Sequence, residues 1–139
     1  MSTLAAAAHA MSEAYLDSRV WNIIRDLGLR RYHTFNSKKS DSGWPDLVCV
    51  GPGGILFREL KRESENPTPA QREWLEALRA AGADAAVWRP GDLLHGDVAR
   101  ELTAISALGA AVSGHSRIVP APDVREMASG TGPVTGGTA

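Results

Sequence analysis

Gly51-Pro52-Gly53-Gly54 separates two short runs rich in β-forming residues, Asp46 to Val50 and Ile55 to Lys61. A proline that fixes its own φ, set among three glycines, leaves a tight reversal and little else. The two runs are therefore expected to pair as an antiparallel hairpin. Alternate residues of a strand share a face, so Ile55, Phe57, Glu59 and Lys61 should point the same way. A carboxylate and an amine then emerge together at the end of an otherwise apolar strand face. Asp46 opens the partner strand, and Asp46 and Glu59 lie at similar distances from the turn. Asp46, Glu59 and Lys61 thus converge from two strands.

Around this hairpin the pattern changes period. Leu16, Val20, Ile23, Ile24 and Leu27 recur at helical spacing, with Ser12 as cap and Gly28 as stop, which predicts a helix from Ser12 to Leu27. Leu29 to Phe35 reads as a strand and Asn36 to Gly43 as a polar loop. A second polar loop, Arg62 to Pro67, leads to Thr68-Pro69-Ala70-Gln71, which has the cap, first-turn proline and glutamine of a helix start. Trp74, Leu75, Leu78 and Ala81 supply that helix's apolar face, and Gly82 ends it. Ala85 to Trp88 is a last strand, halted by Pro90. Asp97 to Leu108 is a last helix. The order α-β-β-β-α-β-α describes an α/β chain with a mixed β-sheet flanked by helices. Residues 1–10, rich in alanine, read as a flexible leader, and 11–108 as one domain. Residues 109–139, dominated by Gly, Ser, Pro and Thr and lacking Trp, Tyr and Phe, read as a disordered tail.

The 139 residues suit one core rather than two. Cys49 is the only cysteine, which excludes an intrachain disulfide and a cysteine-based zinc site and fits a reducing, cytoplasmic setting. No apolar run approaches the ~20 residues of a membrane helix, so no membrane partner is expected. The formal net charge of −1 is not that of a wholly basic nucleic-acid binder. The basic residues are clustered, however: Arg19, Arg25, Arg30, Arg31, Lys38 and Lys39 stand close together against Asp26, and Arg58, Lys61 and Arg62 flank the hairpin acids. They are either solvated surface charge or a positive rim around an acidic centre.

Magnesium and manganese prefer oxygen ligands, and Asp46, Glu59, the backbone carbonyl of Leu60 and waters would meet that preference. A metal so held lowers the pKa of a bound water and neutralises charge on a phosphate under in-line attack, and Lys61 would orient that water and stabilise the developing charge. A Glu-x-Lys spacing alone is common on strand ends; the Pro-Asp opening the preceding strand and the Gly-rich turn are what single it out. Glu13 sits about 35° from the centre of the Leu16/Val20/Ile24/Leu27 stripe at ~100° per residue, pointing to the interior, and is a candidate third carboxylate. It equally suits a helix N-terminus behind Ser12, and Asp17 is an alternative further off the stripe. Gln71 is either the reciprocal partner of Thr68 in a capping box or a polar group facing the sheet near the site. His33, Ser37 and Lys38, just ahead of the site, can contact phosphate, and Lys39 and Arg62 add charge on either side. No phosphate-binding loop and no Ser-His-Asp signature is present.

Ser12-Glu13, Leu27-Gly28, Tyr32-His33, Gly43-Trp44-Pro45-Asp46-Leu47, Phe57-Arg58-Glu59-Leu60-Lys61, Thr68-Pro69-Ala70-Gln71-Arg72-Glu73-Trp74-Leu75 and Val87-Trp88-Arg89-Pro90 together resemble the VRR-NUC domain of the PD-(D/E)XK nuclease superfamily. The resemblance runs from about Met11 to Asp92. It implies a restriction-endonuclease-like fold and a Mg²⁺- or Mn²⁺-dependent deoxyribonuclease, with DNA as partner and phosphodiester hydrolysis as its reaction. It makes Glu13, Asp46 and Glu59 the metal-site acids, Lys61 the catalytic lysine and Gln71 the helix glutamine near the site. Stand-alone members are common in phage and bacterial genomes, which implies the cytoplasm, that of the host for a phage protein. Some resemble dimeric four-way-junction resolving enzymes, so a homodimer acting on junctions or nicks is a further expectation. A DNA-binding subunit that keeps the fold without the chemistry is the rival expectation.

Overall fold

The computed structural model describes residues 2–34 and 38–107. Nine elements follow in order: α1 Thr3–Ala10, α2 Glu13–Asp26, β1 Arg30–His33, β2 Leu47–Gly51, β3 Gly54–Leu60, α3 Pro69–Ala80, β4 Asp84–Trp88, α4 Pro90–Leu94 and α5 Asp97–Ile105. The strands form one four-stranded sheet in the order β1-β2-β3-β4. β1, β2 and β3 run antiparallel, and β4 returns parallel to β3 after crossing over through α3. This is a restriction-endonuclease-like mixed sheet flanked by helices.

The hairpin closes as its glycines dictate. Gly51 pairs with Gly54, and Leu47 with Arg58 at the far end. Gly54 holds a φ of 152°, where a side chain is strained. A Cβ on Gly51 would strike the carbonyl oxygen of Ile105 and the side chain of Leu29, and Gly53 N–H donates to that same carbonyl at 2.9 Å. The turn therefore docks the end of α5 as well as reversing the chain.

One face of the sheet makes the core. Leu47, Cys49, Leu56, Leu60 and Trp88 pack against Leu16, Val20 and Ile24 of α2 and Val98, Leu102 and Ile105 of α5. Each fully buried aliphatic side chain contributes about 1.5–3 kcal/mol, which is why α2 and α5 stay fixed relative to the strands. The other face receives α3 along its β4 side. Tyr32, Val50 and Ile55 remain exposed beyond it.

Three expectations change. The segment read as a flexible leader is mostly α1: Ser2 caps it by accepting from Ala5 N–H at 3.1 Å, and Ala8 and Met11 are buried. Alanine's high helix propensity and packing against α4 outweigh the lack of an apolar stripe. Pro90 does more than stop β4, because it is the first residue of the short helix α4, where its missing N–H costs nothing. The last helix ends at Ile105, with Ser106 as its C-cap. Residues 109–139, expected to be a disordered tail, lie outside the described residues.

Candidate active site

The register that pairs Leu47 with Arg58 places Asp46 opposite Glu59, one step beyond the last pair of the hairpin. The two acids are held by each other's strands. Leu60 N–H donates to Asp46 Oδ2 at 2.8 Å, and Asp46 N–H donates to Glu59 Oε2 at 3.3 Å. Lys61 N–H donates to the Trp88 carbonyl at 3.1 Å, fixing the backbone from which its side chain leaves. Lys61 Nζ lies 3.8 Å from Glu59 Oε1. The expected convergence of Asp46, Glu59 and Lys61 is present. The shared face grades from open to closed: Ile55 is 44% exposed, Phe57 half-buried and Glu59 only 2% exposed.

Gln71 fulfils both of its readings. Its Oε1 accepts from Thr68 N–H at 2.8 Å, completing the capping box, while its Nε2 donates to Glu59 Oε1 at 2.7 Å. Its amide serves the helix through one atom and the site through the other. Gly43 lets the chain approach this closely. It holds a φ of 88°, and a Cβ there would overlap the Ala70 backbone. Trp44 then wedges edge-on between Phe57 at 5.8 Å and Trp74 at 4.9 Å, seating the loop that ends in Asp46.

A cavity of about 370 Å³ opens beside the acids, lined by Glu13, Asp17, His33, Thr34, Asp46 and Leu60 among others. Glu13 therefore joins the site, but from an exposed position and not pointing inward as its wheel angle suggested. As the first residue of α2 it projects past the end of the core stripe. Its carboxyl is still partly withdrawn from water, which together with the charge of Asp46 raises its pKa above the usual range. Glu59 is displaced further. Burial first, then the charge of Asp46, push its carboxyl up to about 8, against the opposing pull of Lys61.

Oxygen-only donors carrying more negative charge than the neighbouring lysine balances suit a hard divalent cation. Among the described residues no group of three or more His, Cys, Asp and Glu side chains could hold a metal ion as placed. The set therefore fits a magnesium-like ion held by one or two carboxylates and completed by water, and does not fit a closed protein cage.

The remaining candidates are dispersed. Lys38 and Lys39 are exposed on the loop before the site, and Arg62 is exposed just after Lys61. Ser37 lies outside the described residues. Asp17 does not replace Glu13, because its Oδ1 accepts from Arg31 at 2.9 Å. Arg58 does not flank the site but lies on the opposite face of β3, 1% exposed, bonded at 2.9 Å to both Asp84 and Glu101 and stacked on Trp88. The signal was there: Leu56, Arg58 and Leu60 alternate on one face, so an arginine between two core leucines had to be buried and paired.

A mixed sheet whose hairpin brings two carboxylates and a lysine to one end, with a parallel crossover helix contributing a glutamine, is a nuclease-type fold. Among solved structures, a chain described as a VRR_NUC domain is similar to this one with a TM-score of 0.53 and 27% sequence identity, over 62% of this chain and 92% of its own. The protein has a VRR-NUC fold. No protein-family model matches the chain, and no curated protein matches it. No helix among the described residues is long and apolar enough to cross a membrane.

Proposed function

We propose that the protein is a divalent-metal-dependent DNA endonuclease that hydrolyses phosphodiester bonds, with Asp46, Glu59 and Lys61 as its catalytic set. The observation that carries this reading is the reciprocal clasp of Asp46 and Glu59 beside Lys61, with Glu59 raised to about 8 where a cation would relieve it. Asp46 and Glu59 would hold Mg²⁺ or Mn²⁺, with Glu13 and the Leu60 carbonyl as further oxygen donors. When bound, such an ion supplies an activated water and neutralises charge on the attacked phosphate. Glu59 would give up its proton when its carboxylate holds the cation. Gln71 keeps the Glu59 carboxylate turned toward Asp46. Lys61, 3.8 Å from that carboxylate, orients the attacking water and stabilises charge developing on the phosphate oxygens.

Lys38, Lys39 and Arg62, exposed on the loops either side, would meet backbone phosphates. In a domain this small such contacts and DNA shape dominate recognition, favouring structure-selective cutting such as nicking or junction resolution. A homodimer would bring two sites to two strands. The test is cleavage of labelled duplex, single-strand, flap and four-way-junction DNA with Mg²⁺ or Mn²⁺, beside Lys61→Ala. Metal-dependent cutting that the variant loses by at least ~10²-fold is the expected result, given that Lys61 supplies transition-state charge. Binding without cutting under both metals would make the protein a non-catalytic DNA-binding subunit instead.

A further inference from the structure

We infer that Glu63 and Arg89 are positioning residues for Lys61: they pin the loop that leaves the lysine, residues 62–67, against the junction of β4 and α4. The inference rests on the nuclease reading for what Lys61 does. How Lys61 is held comes from contacts outside the pair of acids.

β3 ends at Leu60, and Lys61 takes one further rung by donating its N–H to the Trp88 carbonyl at 3.1 Å. β4 ends at that same Trp88, so the ladder carries the chain no further. The loop then runs to Thr68, where α3 is fixed by its own capping box. The Gln71 end of the loop is thus secured independently, while the Lys61 end depends on what grips the loop. A lysine ammonium rides on a flexible four-carbon stem, so its position follows the direction of the backbone beneath it.

Two side chains supply the grip. Arg62, Ser64 and Glu65 are exposed, but Glu63 among them is half-buried. Its Oε2 accepts from the N–H of the buried Gly91 at 2.8 Å. From the other side, Arg89 Nη2 donates to the Glu65 carbonyl at 3.1 Å. Glu65 N–H in turn donates to the Arg62 carbonyl at 3.1 Å, closing the loop on itself directly after Lys61. The run Arg89-Pro90-Gly91 suits this role. The N–H of Arg89 is taken by Asp92 Oδ2 at 2.7 Å, and proline has none, so Gly91 offers the first N–H open to an outside side chain. A Cβ on Gly91 would lie 2.8 Å from Glu63 Oε1 and push the carboxylate off its donor. Lys61 itself is 13% exposed, with Nζ 3.8 Å from Glu59 Oε1. A misplacement of about 1 Å at such a group can cost about 10²-fold in rate.

The alternative is that the clamp only adds stability to the fold. Amide hydrogen exchange of the metal-free full chain separates the two. In Glu63→Ala the Lys61 and Gly91 amides should exchange at least about tenfold faster, the effect of losing one bond to a charged group, while Cys49 and Leu56 in the hairpin ladder stay unchanged. Arg89→Ala, which leaves the Gly91 bond in place, should move the Lys61 amide in the same direction. With DNA and Mn²⁺, Glu63→Ala should lose about tenfold in kcat with KM and metal affinity little changed. Glu63→Gln, which keeps a carbonyl acceptor for Gly91, should recover most of that loss. Because the clamp acts through Lys61, Glu63→Ala should cost nothing further in a Lys61→Ala background. Unchanged Lys61 exchange, exchange raised equally across the ladder, or a kcat loss of the same size with and without Lys61 would each overturn the inference. A wild type that cuts no nucleic acid would sink the nuclease reading, and the exchange rates would still decide whether Glu63 and Arg89 hold Lys61.

Discussion

Replacing Glu59 by glutamine should stabilise the metal-free protein at alkaline pH and change it little in acid. Glu59 titrates near 8 in the folded chain against an ordinary value of 4.5. A carboxyl raised on folding favours the native state by keeping a proton that the unfolded chain has released. That contribution is complete below about 4.5 and is lost as the pH rises through about 8. Each unit corresponds to about 1.36 kcal/mol, and because Asp46 and Lys61 share the titration, the loss should be on the order of 2–4 kcal/mol. Glutamine keeps the shape and can still accept from Gln71 but carries no charge, so most of this slope should vanish in Glu59→Gln. A remainder is expected from Glu13, whose carboxyl is raised in the same direction. The assay is denaturant unfolding with chelator across that pH span. Adding Mn²⁺ at about a hundred times its Kd near the alkaline end should return about 2.7 kcal/mol to the wild type and much less to the variant. A wild-type stability that is flat or rises with pH, or a variant that falls as steeply, would refute the reasoning.

Three further substitutions probe how the site is held. Gln71→Ala removes both the reciprocal cap and the donor to Glu59, and should cost about 1–2 kcal/mol in unfolding measurements while lowering cleavage at saturating metal. Gly43→Ala forces a side chain to a φ of 88° and into the Ala70 backbone, so a loss of at least about 1–3 kcal/mol is expected, read as a drop in melting temperature. Arg58→Leu leaves Glu101 without its guanidinium partner in a half-buried setting; because Asp84 reaches solvent, about 3 kcal/mol, the low end for breaking a buried pair, is the expected cost, with no direct effect on metal affinity.

The parts of this fold that follow from local rules were legible in the sequence. Pro52 and its glycines predicted the hairpin, and Thr68 to Gln71 predicted the start of α3, where the capping box stands. The convergence of Asp46, Glu59 and Lys61 followed from strand alternation together with pairing across that turn. What could not be read depended on tertiary contacts. An alanine-rich segment such as α1 has helix propensity but no stripe, so only its packing on α4 decides its state. The exposure of Glu13 depends on where α2 ends relative to the sheet, which a helical wheel does not contain. The Asp17–Arg31 bond joins elements whose facing sides were known only once β1 was in register with β2.

The reciprocal clasp explains how this sheet tolerates two neighbouring acids that repel each other, Glu59 buried and Asp46 half-buried. Two like charges set on paired strands would be expected to splay apart unless the backbone restrains them. Here each carboxylate accepts an N–H from the opposite strand, so Asp46 Oδ2 and Glu59 Oε2 continue the hairpin ladder past Leu47 and Arg58 in place of carbonyls. Separating the acids would break the ladder as well. The repulsion consequently adds to burial in raising the Glu59 pKa and does not displace the side chain, and the third restraint, from Gln71, comes from the helix that the same glutamine caps. A cation entering such a site would find its carboxylates already placed by secondary structure, so on the proposed reading little reorganisation would oppose binding, and the fold would gain stability from the charge the ion supplied.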